Sequence, residues 1–441
     1  MMLDRFTANN RQQHLLPSDR TVLLAVSGGR DSVTLADLCH RAGIPFAIAH
    51  CNFNLRPGDC DRDEAFVRRL AESYGSVFHA ERYDTHAYAA THQMGIEEAA
   101  RELRYDFFSR LCRQHGYPCV ATAHHRDDNI ETFFLNLFRG TGIEGLRGIR
   151  AEAHINGTRV VRPLLRFSRE EIDRYVSERG LAYVEDHTNS EPCARRNRIR
   201  LQLMPLLREL YPKVDATMES NLQRLDEAGR VYRRHVDTLR QQLLTPHASR
   251  LPYPHPPLTA IRTDDLLRLN PQRTLTYELL RPYGVNAAMV DELTEALTTD
   301  GGQLFHTATH SLTLHRGQLI IAPRTEATPP TIGTAEAPLP ERWDRSGRVI
   351  YVDGDRLRPP LRLRPWQPGD RFQPFGMQGS RLVSDFLADL GLSRLEKQWV
   401  WLLEDSEGRT IWVVGLRADE RTHITDSTKK ILQLTLLPTQ N

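Results

Sequence analysis

Lysine is nearly missing from this 441-residue chain: Lys213, Lys397, Lys429 and Lys430 are the only four, against a Lys+Arg total of 58. The first half therefore cannot hold a lysine-dependent phosphate loop, which needs a lysine directly after its last glycine, nor a lysyl-adenylate. Cysteine is scarce too. Cys39, Cys51, Cys60, Cys112, Cys119 and Cys193 include no C-x-x-C pair, so zinc-ribbon and iron–sulfur spacings are absent. They read as free thiols. No stretch approaches the run of about 20 apolar residues that spans a bilayer, so no membrane partner is expected. The opening MMLDRFTANNRQQ has no apolar core of the kind that directs export, and a cytoplasmic location is expected. The net charge of +2 excludes a generally basic nucleic-acid coat.

A chain this long exceeds one ordinary core. Residues 1–190 alternate strand-like runs (22–26, 46–49, 77–79, 119–123) with helical ones (61–74, 96–115, 129–139). That alternation predicts an α/β fold with a doubly wound, mainly parallel sheet. Ligands bind beyond the carboxyl ends of such strands, so loops following different strands should meet in one crevice. Val214, Met218, Leu222, Leu225, Ala228, Tyr232, Val236, Leu239 and Leu243 step by three or four, which predicts one long helix. Proline-rich breaks then mark off two smaller α+β units. The expected division is a catalytic domain over 1–212, a linking helix over 213–245, a small substrate-binding domain over 246–322, a linker over 323–345 and a C-terminal domain over 346–441.

The most informative segment is Ser27-Gly28-Gly29-Arg30-Asp31-Ser32, directly behind the first strand. Glycines let backbone N–H groups approach an anion, and a helix N-terminus adds a positive dipole end. Ser27 and Ser32 can donate to phosphate oxygens, and Asp31 can meet a metal ion or accept from the loop amides. The partner of Arg30 stays open between solvent and a phosphate. His124-His125-Arg126-Asp127-Asp128-Asn129-Ile130-Glu131-Thr132 follows the 119–123 strand and opens a helix. Asp127 and Glu131 share a face there, and carboxylates so placed could hold Mg²⁺ or cap the helix. Arg101, Arg104 and Tyr105 share a helical face that could present guanidinium groups or simply be solvated. The loop around Gly142 could line a nucleotide pocket or cap a helix. Arg195, Arg196, Arg198, Arg200 and Arg208 oppose only Glu209 between 194 and 210.

The S-G-G-x-D-S string resembles the pyrophosphatase-type loop (PP-loop) of enzymes that split ATP into AMP and pyrophosphate. The full series resembles the tRNA(Ile)-lysidine synthetases: S-G-G-x-D-S, H-x-x-x-x-L-R from His50 to Arg56, A-R-x-x-R-Y from Ala100 to Tyr105, H-H-x-D-D-x-x-E-T, and R-G-T-G from Arg139 to Gly142. Arg162-Pro163-Leu164-Leu165, Asp186, Asn189, Arg196-Asn197 and the stretch from Gly415 to Arg421 extend it along nearly the whole chain. Phe53 departs from a histidine frequent in the family, and Gly379-Ser380-Arg381-Leu382 replaces its Lys-Lys pair.

The resemblance implies a ligase that joins free L-lysine to C2 of the wobble cytidine (position 34) of tRNA(Ile) with a CAU anticodon. ATP would adenylate the C2 oxygen, releasing pyrophosphate, and the lysine amine would displace AMP. It assigns ATP to residues 27–32 with Arg101 and Gly142, and catalysis to Asp31, His124, His125, Asp127, Asp128 and Glu131. Mg²⁺ falls to Asp31 and Asp128, and tRNA phosphates to Arg195, Arg196, Arg198 and Arg200. A homodimer is left open. A PP-loop tRNA thiolase is the main rival, weakened by the missing C-x-x-C; an amidotransferase-type synthetase would need a glutaminase part; a non-catalytic tRNA-binding protein would not need both motif sets intact.

Overall fold

The computed structural model describes residues 2–55, 58–185, 195–298, 302–326, 328–344 and 346–438. Arg56, Asp186, Asn189 and Cys193, singled out above, lie outside them. Two compact units divide at Val231 and Tyr232.

The first unit runs through α1 (Met2–Gln13), β1 (Val22–Ala25), α2 (Arg30–Arg41), β2 (Phe46–Asn52), α3 (Asp59–Ser73), β3 (Phe78–Arg82), α4 (Thr85–His92), α5 (Ile96–His115), β4 (Val120–Ala121), α6 (Arg126–Arg139), α7 (Ile143–Leu146), β5 (Glu152–Ile155), β6 (Thr158–Val161) and α8 (Arg169–Arg179). The sheet order is β3-β2-β1-β4-β6-β5. All neighbours are parallel except β5 against β6. The parallel, doubly wound sheet expected from the alternation is present. Val22, Leu23, Leu24, Ile48 and Val120 are wholly buried, because a parallel sheet is covered on both faces. One core cluster packs Leu24, Leu35 and Val161; the other packs Leu23, Phe107 and Val160.

This order sets the position of the site. From β1 the chain moves outward to β2 and β3, then returns to place β4 on the other side of β1. The switch point lies between β1 and β4, where crevices of doubly wound sheets open. The loop 27–32 follows one of these strands and residues 122–126 follow the other.

The arginine-rich stretch forms α9 (Arg195–Arg198), a wide π turn over Ile199–Leu203 and α10 (Met204–Leu210). Such turns are frequent at functional sites. The expected long helix is α11 (Val214–Leu243), and the division between the units falls within it. Met218 and Leu222 on its first half pack with Ile130, Ile199 and Met204.

The second unit is antiparallel throughout its described sheets. Strands Thr259–Arg262, Gln318–Pro323, His310–His315 and Leu304–His306 form one sheet with helices Gln272–Leu280 and Ala287–Ala296. Another core surrounds Trp412. The stretch 323–345, read as a linker, contains the strand Ile332–Glu336, which pairs along Ile431–Leu436. Its partner lies about a hundred residues away, out of reach of local pattern reading.

Candidate active site

Gly28 holds φ at +93°, in the region that glycine tolerates. A Cβ there would sit 3.3 Å from Val67 and 3.5 Å from both Phe66 and Val184. The Val184 amide donates to the Gly28 carbonyl at 3.0 Å, strapping the loop. Ser27 Oγ and Ser32 Oγ lie 3.3 Å apart, and Ser32 Oγ donates to the Gly29 carbonyl at 2.8 Å. Gly29 caps α2 without a side-chain partner. The first amides of α2 thus keep their capacity to meet an anion.

Arg30 has partners within the protein. Its Nη1 donates to Asp173 at 2.6 Å, and its guanidinium lies over the Tyr183 ring at 4.8 Å. Asp31 receives Arg169 Nη1 on both carboxylate oxygens at 3.1 Å. Burial outweighs the neighbouring His125 and Arg169 and pushes the Asp31 carboxyl up.

The second motif wraps around His125, which is 3% exposed. Its Nε2 lies 3.8 Å from Asp31 and 3.5 Å from Asp128, and its Nδ1 lies 3.9 Å from Asp127. Asp128 caps α6 by accepting the His125 amide at 3.0 Å. Burial alone would raise the Asp128 carboxyl, yet His125, Arg196 and His124 hold it below the usual range. Asp127 faces elsewhere: it accepts the Arg169 amide at 3.0 Å and Arg208 at 2.9 Å. His124 Nδ1 meets Thr122 Oγ1 at 2.9 Å. Burial, joined by the charges of Arg162, Arg196 and Arg104, pushes His124 down to about 4.

Glu131 is 2% exposed and bound by two guanidinium groups. Arg200 Nε reaches it at 2.6 Å and Arg196 Nε at 2.8 Å, while Arg196 also donates to Asp128 at 3.2 Å. The sequence reading gave all four arginines to RNA phosphates; Arg195 and Arg198 are exposed, whereas Arg196 and Arg200 are engaged with Glu131 and Asp128. Buried Glu131 would be an uncompensated charge without them.

Arg101 is exposed, and its guanidinium lies over the Tyr105 ring at 4.9 Å. Gly142 begins α7, and its carbonyl accepts the Gly145 amide at 3.1 Å.

Among the described residues no three His, Cys, Asp or Glu side chains gather as a metal cluster. Asp31 and Asp128, 3.8 and 3.5 Å from His125 Nε2, supply two hard oxygen donors. That suits Mg²⁺, which is commonly held by one or two carboxylates plus substrate phosphates. Thiol chemistry fits poorly. Cys39, Cys51, Cys60, Cys112 and Cys119 are free, and burial pushes Cys51 up to about 12 and Cys119 up to about 11.

Arg169 and Asp173 escaped the sequence reading, and Arg208 was noted there only as part of the arginine-rich stretch, without a partner. A signal existed: a cation in the first turn of a helix opposes the dipole, and α8 opens with one.

A strapped glycine turn at a sheet switch point, with a histidine-carboxylate helix opening beside it, defines a PP-loop protein. The family model described as a PP-loop domain matches residues 3–207. The models for the TilS substrate binding domain and the TilS substrate C-terminal domain match 258–324 and 361–434. The chain belongs to the tRNA(Ile)-lysidine synthase family. It is 38% identical over 440 residues to the tRNA(Ile)-lysidine synthase of Parabacteroides distasonis, covering 96% of this chain and 97% of that one. Against the enzyme of Bacteroides thetaiotaomicron it is 36% identical, covering 98% and 99%. Among solved structures, the U34-tRNA thiolase NcsA from Methanococcus maripaludis has a TM-score of 0.43 and 18% identity, covering 51% of this chain and 78% of that one.

Proposed function

We propose that the chain ligates free L-lysine to C2 of the wobble cytidine of tRNA(Ile) with a CAU anticodon, using ATP and forming lysidine. The observation that carries this reading is the meeting of the loop 27–32 with His125 and Asp128 at the switch point, in a chain of this family. The loop amides and Ser27 and Ser32 hold the ATP phosphates and stabilise charge on the departing pyrophosphate. Mg²⁺, held by Asp31 and Asp128, would neutralise phosphate charge when bound. The cytosine C2 oxygen attacks the α-phosphorus, and the lysine amine then attacks C2 and expels AMP. Lysine must arrive as a neutral amine, although its reference pKa is about 10.4. Burial, the leading cause of the depressed His124, acts in the same direction on an ammonium group in the same crevice and favours the neutral form.

Arg195 and Arg198 take tRNA phosphates, and the regions matched at 258–324 and 361–434 grip parts of the tRNA beyond the anticodon. The cytoplasm is the expected location, and light scattering decides between monomer and homodimer. The test of the reaction is incubation with tRNA(Ile) transcript, ATP and labelled lysine. Lysine-dependent AMP release with label in the tRNA is expected. Sulfur transfer without lysine incorporation would replace this reading with the thiolase, and tRNA binding without turnover would replace it with a binding protein.

A further inference from the structure

Apart from the one-turn α9, three helices of the first unit open with an arginine: α2 with Arg30, α6 with Arg126 and α8 with Arg169. Each cation sits at the positive end of a helix, where it is disfavoured. Each is returned to a carboxylate. Arg30 goes to Asp173 at 2.6 Å, Arg126 to Glu219 at 3.3 Å and Arg169 to Asp31 at 3.1 Å. The first two pairings lead away from the phosphate loop. The third leads onto it, because Asp31 is a loop residue. Asp173 also receives Arg169 Nε at 3.1 Å, so one carboxylate fixes both Arg30 and Arg169.

We propose that Arg169 is a polyphosphate-binding residue of the ATP site, aimed by Asp173, and that Asp31 holds its guanidinium only until nucleotide phosphates arrive. This rests on the ATP reading above. Arg30 is spent on Asp173 and Tyr183, and no lysine precedes Lys213, so the loop lacks a cation of its own. Arg169 supplies one. Its side chain is 36% exposed, so it can be reached, and its Nε anchor leaves Nη1 to exchange partners. A guanidinium suits phosphate oxygens as well as a carboxylate, often through two parallel bonds. Asp173 is the positioning residue.

Calorimetry on the full chain tests this, with ATP, inorganic pyrophosphate and adenosine as separate probes for wild type, Arg169→Ala, Arg169→Lys and Asp173→Asn. Arg169→Ala should weaken ATP and pyrophosphate binding by at least about tenfold and leave adenosine unchanged, as loss of one charge-assisted contact requires. Asp173→Asn should shift the same two probes by less, and Arg169→Lys should fall between wild type and Arg169→Ala. Pyrophosphate binding equal in wild type and Arg169→Ala overturns the proposal. Equal weakening of adenosine and pyrophosphate overturns it too, as the mark of a merely structural role. A wild type that binds no ATP removes the ATP reading itself, whereas unchanged ATP affinity in Arg169→Ala removes this proposal alone.

Discussion

Arg200 Nε donates to Glu131 Oε1 at 2.6 Å, and that contact holds the arginine against a buried carboxylate. Glu131 is 2% exposed, so its charge persists only with partners. Breaking a buried ion pair costs about 3–5 kcal/mol, but the arginines here are roughly a third exposed, so about 2 kcal/mol is expected for Glu131→Gln. Urea unfolding of Glu131→Gln, Arg200→Ala and the double variant measures it. The double variant should lose less than the sum of the single losses, since each single change strands the other charge.

The four arginines proposed for RNA should separate into two pairs. Arg195 and Arg198 are exposed, whereas Arg196 and Arg200 are engaged with Asp128 and Glu131. Arg195→Ala and Arg198→Ala should each weaken tRNA binding and lower its salt slope by about 1. Arg196→Ala should leave the salt slope unchanged and abolish turnover. Filter binding across a salt series, beside a turnover assay, reads both. A fall in the slope for Arg196→Ala would return that residue to the phosphate role.

His124 makes stability depend on pH in a stated direction. Its folded value is about 4 against an ordinary 6.5, with burial the leading cause. The unfolded chain therefore binds the extra proton first. The contribution of His124 is fully present above pH 6.5, falls as pH drops toward 4, and changes no further below that. Asp31 acts oppositely because its carboxyl is pushed up, and the difference between wild type and His124→Gln reads the histidine together with its effect on Asp128. Denaturant midpoints from pH 7.5 to 4 should fall more steeply in wild type than in His124→Gln.

The sheet was legible because β1, β2 and β4 are buried on both faces and read as unbroken apolar runs. The β5–β6 hairpin was missed although Asn156-Gly157, both at positive φ, form its two-residue turn. That dipeptide is a strong hairpin signal, but the flanking strands are only four residues each. In the site, the loop 27–32 and the His124–Thr132 stretch were recognisable because their chemistry is carried by local strings. The orientation of Arg196 and Arg200 was not legible. An arginine-rich helix reads alike facing in or out, and what decides is the burial of Glu131, some 65 residues away. Arg169 was hidden for a related reason: its partner Asp31 lies 138 residues back.

Gly229 sits inside α11, where glycine costs about 1 kcal/mol relative to alanine. The structure gives the reason. A Cβ at this position would lie 2.4 Å from Arg147 Cδ and 2.8 Å from its Nε. Arg147 is itself buried, and it donates to Asp226 at 3.0 and 2.6 Å and to Glu144 at 3.0 Å. The bare helix surface lets this side chain cross α11 and reach Asp226. Gly229→Ala should therefore reverse its usual sign and destabilise the first unit by about 1–3 kcal/mol, the range for a charged hydrogen bond lost from a buried site. In an Arg147→Ala background the obstruction is gone, and the same substitution should stabilise by about 1 kcal/mol through helix propensity. Urea unfolding of the four proteins gives both values, and a stabilising Gly229→Ala in the otherwise wild-type chain would show that Arg147 can leave its place at little cost.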